Sequence, residues 1–253
     1  MELTIIEKLL ETAVHEKVKV LYACESGSRA WGFASTDSDY DVRFIYTRRT
    51  SDYLSIADRR DVIELPVNEV LDIGGWDLRK ALQLFLKSNA PLYEWLQSPV
   101  WYDGNHAFVD ELKALMPKYF SCRAGCHHYL SMAFNTLEND LQGGQVKIKK
   151  YFYALRPALA ALWIIEKQEV PPMEFGILRT LVQDEPWQQA VDTLLKVKAG
   201  ADEKALITPI PLLQNWLQET LNNCKEKASA LPSIRHTTEE LDELFRKYMH
   251  HDL

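Results

Sequence analysis

The chain has 253 residues, 47% hydrophobic and 26% charged, with a formal net charge of -7. That composition suits a globular protein with a substantial core. It excludes one that coats nucleic acid through bulk charge, because such affinity comes from Lys and Arg neutralising phosphates. The opening MELTIIEKLLETAVHEK lacks the basic, apolar and small-residue order of a secretory signal. The longest apolar run, ALAALWII at 158–165, is far shorter than the roughly 20 residues that cross a bilayer. Cys24, Cys122, Cys126 and Cys224 show no framework spacing. The expectation is a soluble, cytoplasmic protein with reduced thiols and no membrane partner.

In chain order, Leu3, Ile6, Leu10, Ala13 and Val14 recur at helical spacing and predict an amphipathic helix over 3–15. VKVLYAC (18–24) and YDVRFIY (40–46) read as strands. DVIELPV (61–67) and EVLDIGGW (69–76) read as a hairpin with Pro66 at its turn or on an edge. From Asp77 the period changes: Leu78, Ala81, Leu82, Phe85 and Leu86 share one helical face, and Asp77 is placed to cap it. KSN (87–89) stops that helix, with Asn89 suited to a left-handed C′ position. Beyond about residue 105 the chain reads as helix and loop, ending in TTEELDELFRKYM (237–249), where Thr237 and Glu240 fit a capping box. The fold class expected is α+β: a mixed sheet flanked by helices in 1–110, then an all-helical domain in 111–253, with the boundary near 103–118.

The chemistry concentrates in YACESGSRAWGFASTDSDYDVRFIY (22–46), where Asp37, Asp39 and Asp41 fall within five residues. On a strand, side chains two apart point the same way, so Asp39 and Asp41 share a face about 6.5–7 Å apart. Tyr40, Val42, Phe44 and Tyr46 form the opposite, core-facing row. Two like charges held together repel unless a cation joins them, and oxygen-only ligands favour Mg²⁺ or Mn²⁺. The plain alternative is a polar turn, since Asp and Ser bond to their own backbone there. Gly27 and Ser28, directly after a strand, add backbone N–H groups and a hydroxyl able to approach an anion such as a triphosphate.

Gly-Ser, a gap of about ten residues, then Asp-x-Asp on a strand resembles the DNA polymerase β-like nucleotidyltransferase superfamily. DIGGWDLRKALQLFLKSNAPLYEWLQSP (72–99) and KIKKYFYALRPALAALW (147–163) resemble the YcgL/RlaP-type nucleotidyltransferases, so the likeness spans roughly 20–165. It implies transfer of a nucleoside monophosphate from an NTP with release of pyrophosphate, using two divalent ions. Matched by position, Gly27 and Ser28 would bind triphosphate, and Asp39 and Asp41 would ligate metal. The superfamily takes a third carboxylate from a neighbouring strand. Asp72 is the residue chosen here, Asp77 its rival, and Glu64 and Glu69 outside candidates.

Further on, Ile148, Phe152, Leu155, Leu159 and Leu162 make an apolar stripe, and Lys149, Tyr153 and Arg156 a neighbouring one suited to a triphosphate and base. Lys147 and Lys150 broaden the positive patch; a solvated basic face is the alternative. Pro157 should kink that helix or sit in its first turn. Arg29 is equally suited to a phosphate or a surface ion pair, while Arg79 and Lys80 stand in the block shared with the subfamily. Trp31 and Trp76 are the tryptophans placed to stack on a base. CRAGCHH (122–128) matches no zinc spacing and reads as helix packing. His250 and His251 are expected to fray. The acceptor stays open among an RNA end, a small molecule and a protein hydroxyl. The competing class is a nucleotide-binding or antitoxin-like module acting through a partner protein.

Overall fold

A computed structural model describes residues 1–67, 70–200, 205–232 and 236–249. Its elements are α1 (Glu2–Glu16), β1 (Lys19–Ser26), α2 (Gly27–Trp31), β2 (Tyr40–Thr47), α3 (Thr50–Tyr53), β3 (Val62–Glu64), β4 (Leu71–Asp77), α4 (Leu78–Leu86), α5 (Ala90–Trp95), β5 (Trp101–Gly104), α6 (His106–Tyr119), α7 (Cys122–Asp140), β6 (Val146–Lys147), α8 (Ile148–Lys167), α9 (Phe175–Leu178), α10 (Glu185–Gly200), β7 (Leu206–Ile207), α11 (Pro211–Ala228) and α12 (Glu239–Tyr248). The class is α+β. Among the described residues no helix is long and apolar enough to cross a membrane. Glu69, His250 and His251 lie outside the described residues.

Two compact units emerge: Met1–Gly27, Asp39–Tyr119 and Arg235–Leu253 form the first, and Ser28–Ser38 with Phe120–Ile234 the second. Beside a single cut after residue 110, the units divide at Tyr119, and each also takes a segment distant in sequence.

In the first unit a five-stranded sheet has the order β3-β4-β2-β1-β5. β1 pairs antiparallel with β2 and β5, β2 runs parallel to β4, and β3 closes the edge antiparallel to β4. Alternation explains the packing: Val42, Phe44 and Tyr46 of β2 join Ala23, Ile73 and, from α1, Ile5 and Leu9 in one core. A buried Phe or Leu there contributes about 1.5–3 kcal/mol. Gly75 admits this packing, since a β-carbon would stand 2.3 Å from the Phe44 ring. Gly75 therefore serves the core, while Gly74, paired with Arg43, faces the other side of the sheet with a β-carbon position 3.8 Å from Arg43 Nη1.

Three local expectations change. The face of α1 that packs is Ile5, Leu9 and Thr12, while Leu3, Leu10 and Val14 are exposed. Apolar spacing alone could not choose between two overlapping helical rows. After α4 the left-handed residue is Ser88, with φ 55°; Asn89 is extended and caps α5 by accepting from the Leu92 N–H at 3.2 Å. At α12 no capping box forms: Thr238 precedes the helix and donates to Asp242 at 2.7 Å, and Glu240 is drawn to Lys118 and Tyr119. Asp77 does cap α4, accepting from the Arg79 N–H at 2.8 Å.

The second unit is helical, with α7, α8 and α11 packed on one another and a two-stranded β6–β7 ladder. Cys126 is buried in it, and burial pushes its thiol up to about 12; the CRAGCHH run is the opening of α7. Pro157 lies inside α8, well past its first turn. Ser28–Ser38 is held there by aromatic contact: Phe33 stacks on Phe152 at 4.8 Å and meets Phe175 edge-on at 5.7 Å.

Candidate functional site

Residues 27–39 connect β1 to β2, and the antiparallel register of the two strands sets Ser26 opposite Asp41. Gly27 follows with φ +60°, and a β-carbon there would come within 1.9 Å of Asp41 Oδ2. Only glycine gives both the left-handed turn and the space this carboxylate takes. On the other side, β2 and β4 are parallel, with Asp41 directly opposite Asp72. Like charges so placed need a cation, and the chain supplies one: Arg43 Nη2 lies 2.6 Å from Asp72 Oδ2 and 3.3 Å from Asp41 Oδ1. Alternation puts Arg43 on Asp41's face of β2, and its second nitrogen donates to the Val42 and Asp72 carbonyls at 3.0 Å.

The backbone beneath is fixed by Glu25, which is 1% exposed. Its Oε1 accepts from the Asp41 N–H at 2.8 Å, Tyr102 donates to its Oε2, and Ser98 donates to its carbonyl at 2.6 Å. A buried carboxylate with both oxygens engaged is a rigid support. Glu25 went unread in the sequence because a strand's acid before a turn gives no sign that it points inward.

Of the expected acids, Asp41 and Asp72 are brought together. Asp39 is exposed and lies one residue before β2. Asp77 sits at the far end of β4, buried, with Tyr53 donating to its Oδ2 at 2.9 Å; Glu64 pairs with Arg60 at 2.7 Å. Among the described residues no group of three or more His, Cys, Asp and Glu side chains is gathered to hold a metal ion. The pair Asp41–Asp72 nonetheless fits a hard cation chemically: two partly exposed carboxylates already share one positive group.

In the second unit, Ser28 donates to Ser38 Oγ at 3.1 Å, and Ser38 Oγ lies 2.9 Å from Ser35 Oγ. Arg29 closes this loop through two donations to the Ser38 carbonyl, at 3.1 and 2.7 Å. Lys198, 5% exposed, donates to Ser35 Oγ at 3.3 Å. A buried ammonium donating to one of three linked serine hydroxyls was not foreseen, because LLKVKAG (194–200) reads as an ordinary amphipathic helix end.

The stripe expected on α8 divides. Lys149 and Tyr153 are half-buried, and Lys150 pairs with Asp140 at 2.9 Å. Arg156 is 1% exposed, donates to the Met173 carbonyl at 3.0 and 2.9 Å and lies 4.6 Å above the Trp31 ring. It is a buried arginine, so the alternative of a solvated basic face does not hold at this residue. Trp31, Tyr153, Asn135 and Thr136 line a cavity of about 320 Å³ with it. Trp76 stands 3.9 Å from Trp95, four residues along β4 from Asp72, and is occupied by that contact.

A family model described as RlaP, the RNA repair pathway DNA polymerase beta family, matches residues 1–247. The chain is 43% identical over 246 residues to the uncharacterized protein YcgL of Bacillus subtilis (strain 168), covering 96% of this chain and 95% of that one. Similar solved structures include a nucleotidyltransferase-like protein from Exiguobacterium sibiricum 255-15, with TM-score 0.34 and 13% identity over 98% of this chain and 80% of that one. Another is the spectinomycin adenyltransferase AAD(9) from Enterococcus faecialis with ATP and spectinomycin, with TM-score 0.46 and 11% identity over 90% of this chain and 98% of that one. At these scores the two structures carry no argument about this chain.

Proposed function

From the premise that the chain belongs to the RNA repair pathway DNA polymerase beta family, we propose that it is a divalent-metal-dependent nucleotidyltransferase. It would move a nucleoside monophosphate from an NTP to a hydroxyl acceptor. The acceptor oxygen bonds to the α-phosphorus, the bond to the β-phosphate bridge breaks, pyrophosphate leaves and the hydroxyl proton is lost. The observation that carries this reading is Asp41 opposite Asp72 on parallel strands, with Gly27 seated against Asp41.

Asp41 and Asp72, with Asp39, are the residues proposed to hold Mg²⁺ or Mn²⁺. Bound there, the ions would offset charge on the entering and leaving oxygens of an in-line displacement. Glu25 holds the Asp41 backbone in place, and Arg43 offsets the repulsion between the carboxylates. In the second unit Ser28, Arg29, Lys149, Lys150, Tyr153 and Arg156 are the residues proposed to handle the nucleotide. Ser28 offers a hydroxyl and Lys149 a half-buried ammonium. An RNA end is the acceptor we propose, as the family description suggests, in a cytoplasm where the four buried cysteines stay thiols.

The second reading, a nucleotide-binding module that works through a partner protein, is favoured by one observation: Arg43 already satisfies both carboxylates. One assay separates the two. The purified protein is incubated with Mg²⁺, each α-labelled NTP and total cellular RNA. Label transferred to RNA with pyrophosphate release, absent from the Asp39→Asn, Asp41→Asn variant of unchanged circular dichroism, is the expected result. NTP binding without pyrophosphate from any acceptor pool would leave the module reading.

A further inference from the structure

At the carboxyl ends of β2 and β4 the first unit has a polar cavity of about 160 Å³. A single water needs only roughly 10–15 Å³, so a group of several heavy atoms fits. From Asp41 to Arg48 is seven residues of extended chain, roughly 20 Å. The cavity is therefore distant from the Asp41–Asp72 pair.

Its lining sets Asp52, Asp58, Asp61 and Asp77 against Arg48, Arg59, Arg60, Arg79 and Lys80, with Arg60 paired to Glu64 at 2.7 Å. Asp52 pairs with Arg59 at 3.0 Å and Asp61 with Lys80 at 3.0 Å. Asp77 is taken by the Arg79 N–H and the Tyr53 hydroxyl, and Asp58 is exposed to solvent. Two lining guanidiniums, Arg48 and Arg79, act on Asp77 only through their charge and not through an ion-pair contact. Arg48 reaches the Glu16 and Arg60 carbonyls only at 3.4 Å, and its Nε is buried with no hydrogen-bond partner among the described residues. Arg79 lies 5.1 Å from the Tyr53 ring centre and 5.3 Å from that of Phe245. Neither has a carboxylate at ion-pair distance among the described residues. A buried donor left unmade costs about 1–3 kcal/mol, and two arginine forks held by rings match the planar, bidentate recognition of an oxyanion.

We infer that this cavity binds a phosphate group, with Arg48 and Arg79 as its ligands and Lys80 at its edge. The phosphate comes either from the backbone of a single-stranded RNA or from a free phosphate ion. The site needs neither NTP nor divalent ion, so its test is independent of nucleotidyl transfer.

Binding of inorganic phosphate and of a short single-stranded oligoribonucleotide is measured calorimetrically without divalent ions. Wild type, Asp41→Asn and an Arg48→Gln, Arg79→Gln variant are compared. Wild type and Asp41→Asn should bind at least one probe equally well, and the double variant should bind it at least about tenfold more weakly. Binding of the ion points to free phosphate, and binding of the strand alone to RNA backbone; either supports the pocket. Should the double variant fail to fold, Lys80→Gln replaces it, with a severalfold loss expected. Binding of neither probe by wild type, or equal affinity in the folded charge variants, overturns the inference.

Discussion

At Gly27 the backbone has φ +60° and no space for a β-carbon beside Asp41 Oδ2. Gly27→Ala must both strain the turn, at roughly 1–2 kcal/mol, and push the carboxylate off its position opposite Asp72. The expected outcome is at least a tenfold loss of Mg²⁺-dependent turnover with a modest fall in thermal midpoint. Turnover kinetics and calorimetry check it, and unchanged turnover would free Asp41 from this turn. Arg43 makes the complementary prediction. Arg43→Gln removes the cation between two partly exposed carboxylates, at a cost of about 1 kcal/mol or less, and should tighten Mg²⁺ binding severalfold. A titration of the metal alone reads this; weaker binding would mean that Arg43 supports the ion site. The alternation that turns Asp41 outward turns Arg43 outward too, so this contact was legible in YDVRF. It was missed because the acids were read without the base two residues on. Glu25 was not legible, since its inward direction depends on β5 and Tyr102, far away in sequence.

Among the elements, α4 depends on its cap. Burial is the largest effect on the Asp77 carboxyl and raises it above the ordinary 3.8, against hydrogen bonds from Tyr53 and the Arg79 N–H and the Arg48 and Arg79 charges. A carboxyl raised on folding favours the protonated native state. Its contribution is full below 3.8 and is lost as pH rises through the raised value. Asp77→Asn keeps an equally good cap and has no charge to bury. Its stability relative to wild type should therefore climb as pH rises through that window, read by urea unfolding at successive pH values. A flat difference would mean that Asp77 stays as acidic when folded as when unfolded. The strands and α4 were legible because alternating and 3.6-residue apolar patterns act locally. The packed row of α1 was not, because Leu3, Leu10 and Val14 satisfy the same period as Ile5 and Leu9.

For the whole molecule, the sequence order of strands before helices is a fair guide to the α+β class, yet it hides which segments belong together. Phe33 and Trp31 carry Ser28–Ser38 into the helical unit, a partnership that periodicity cannot express. α12 returns to the first unit: Leu241 and Leu244 are buried, and Phe245 meets Tyr53 at 5.1 Å. Burying each leucine contributes about 1.5–3 kcal/mol. A chain stopped after residue 232 should accordingly lose several kcal/mol in the first unit and unfold at distinctly lower urea. A protein cut there with an unchanged midpoint would make α12 an appendage.

That return also orders events during synthesis. Residues 1–119 leave the ribosome early, but the helix that covers α4 is translated only after all of 120–234. The sheet-bearing half must wait, incompletely covered, until α12 has been made. A message broken anywhere upstream would then yield a product prone to proteolysis, not a half-working enzyme.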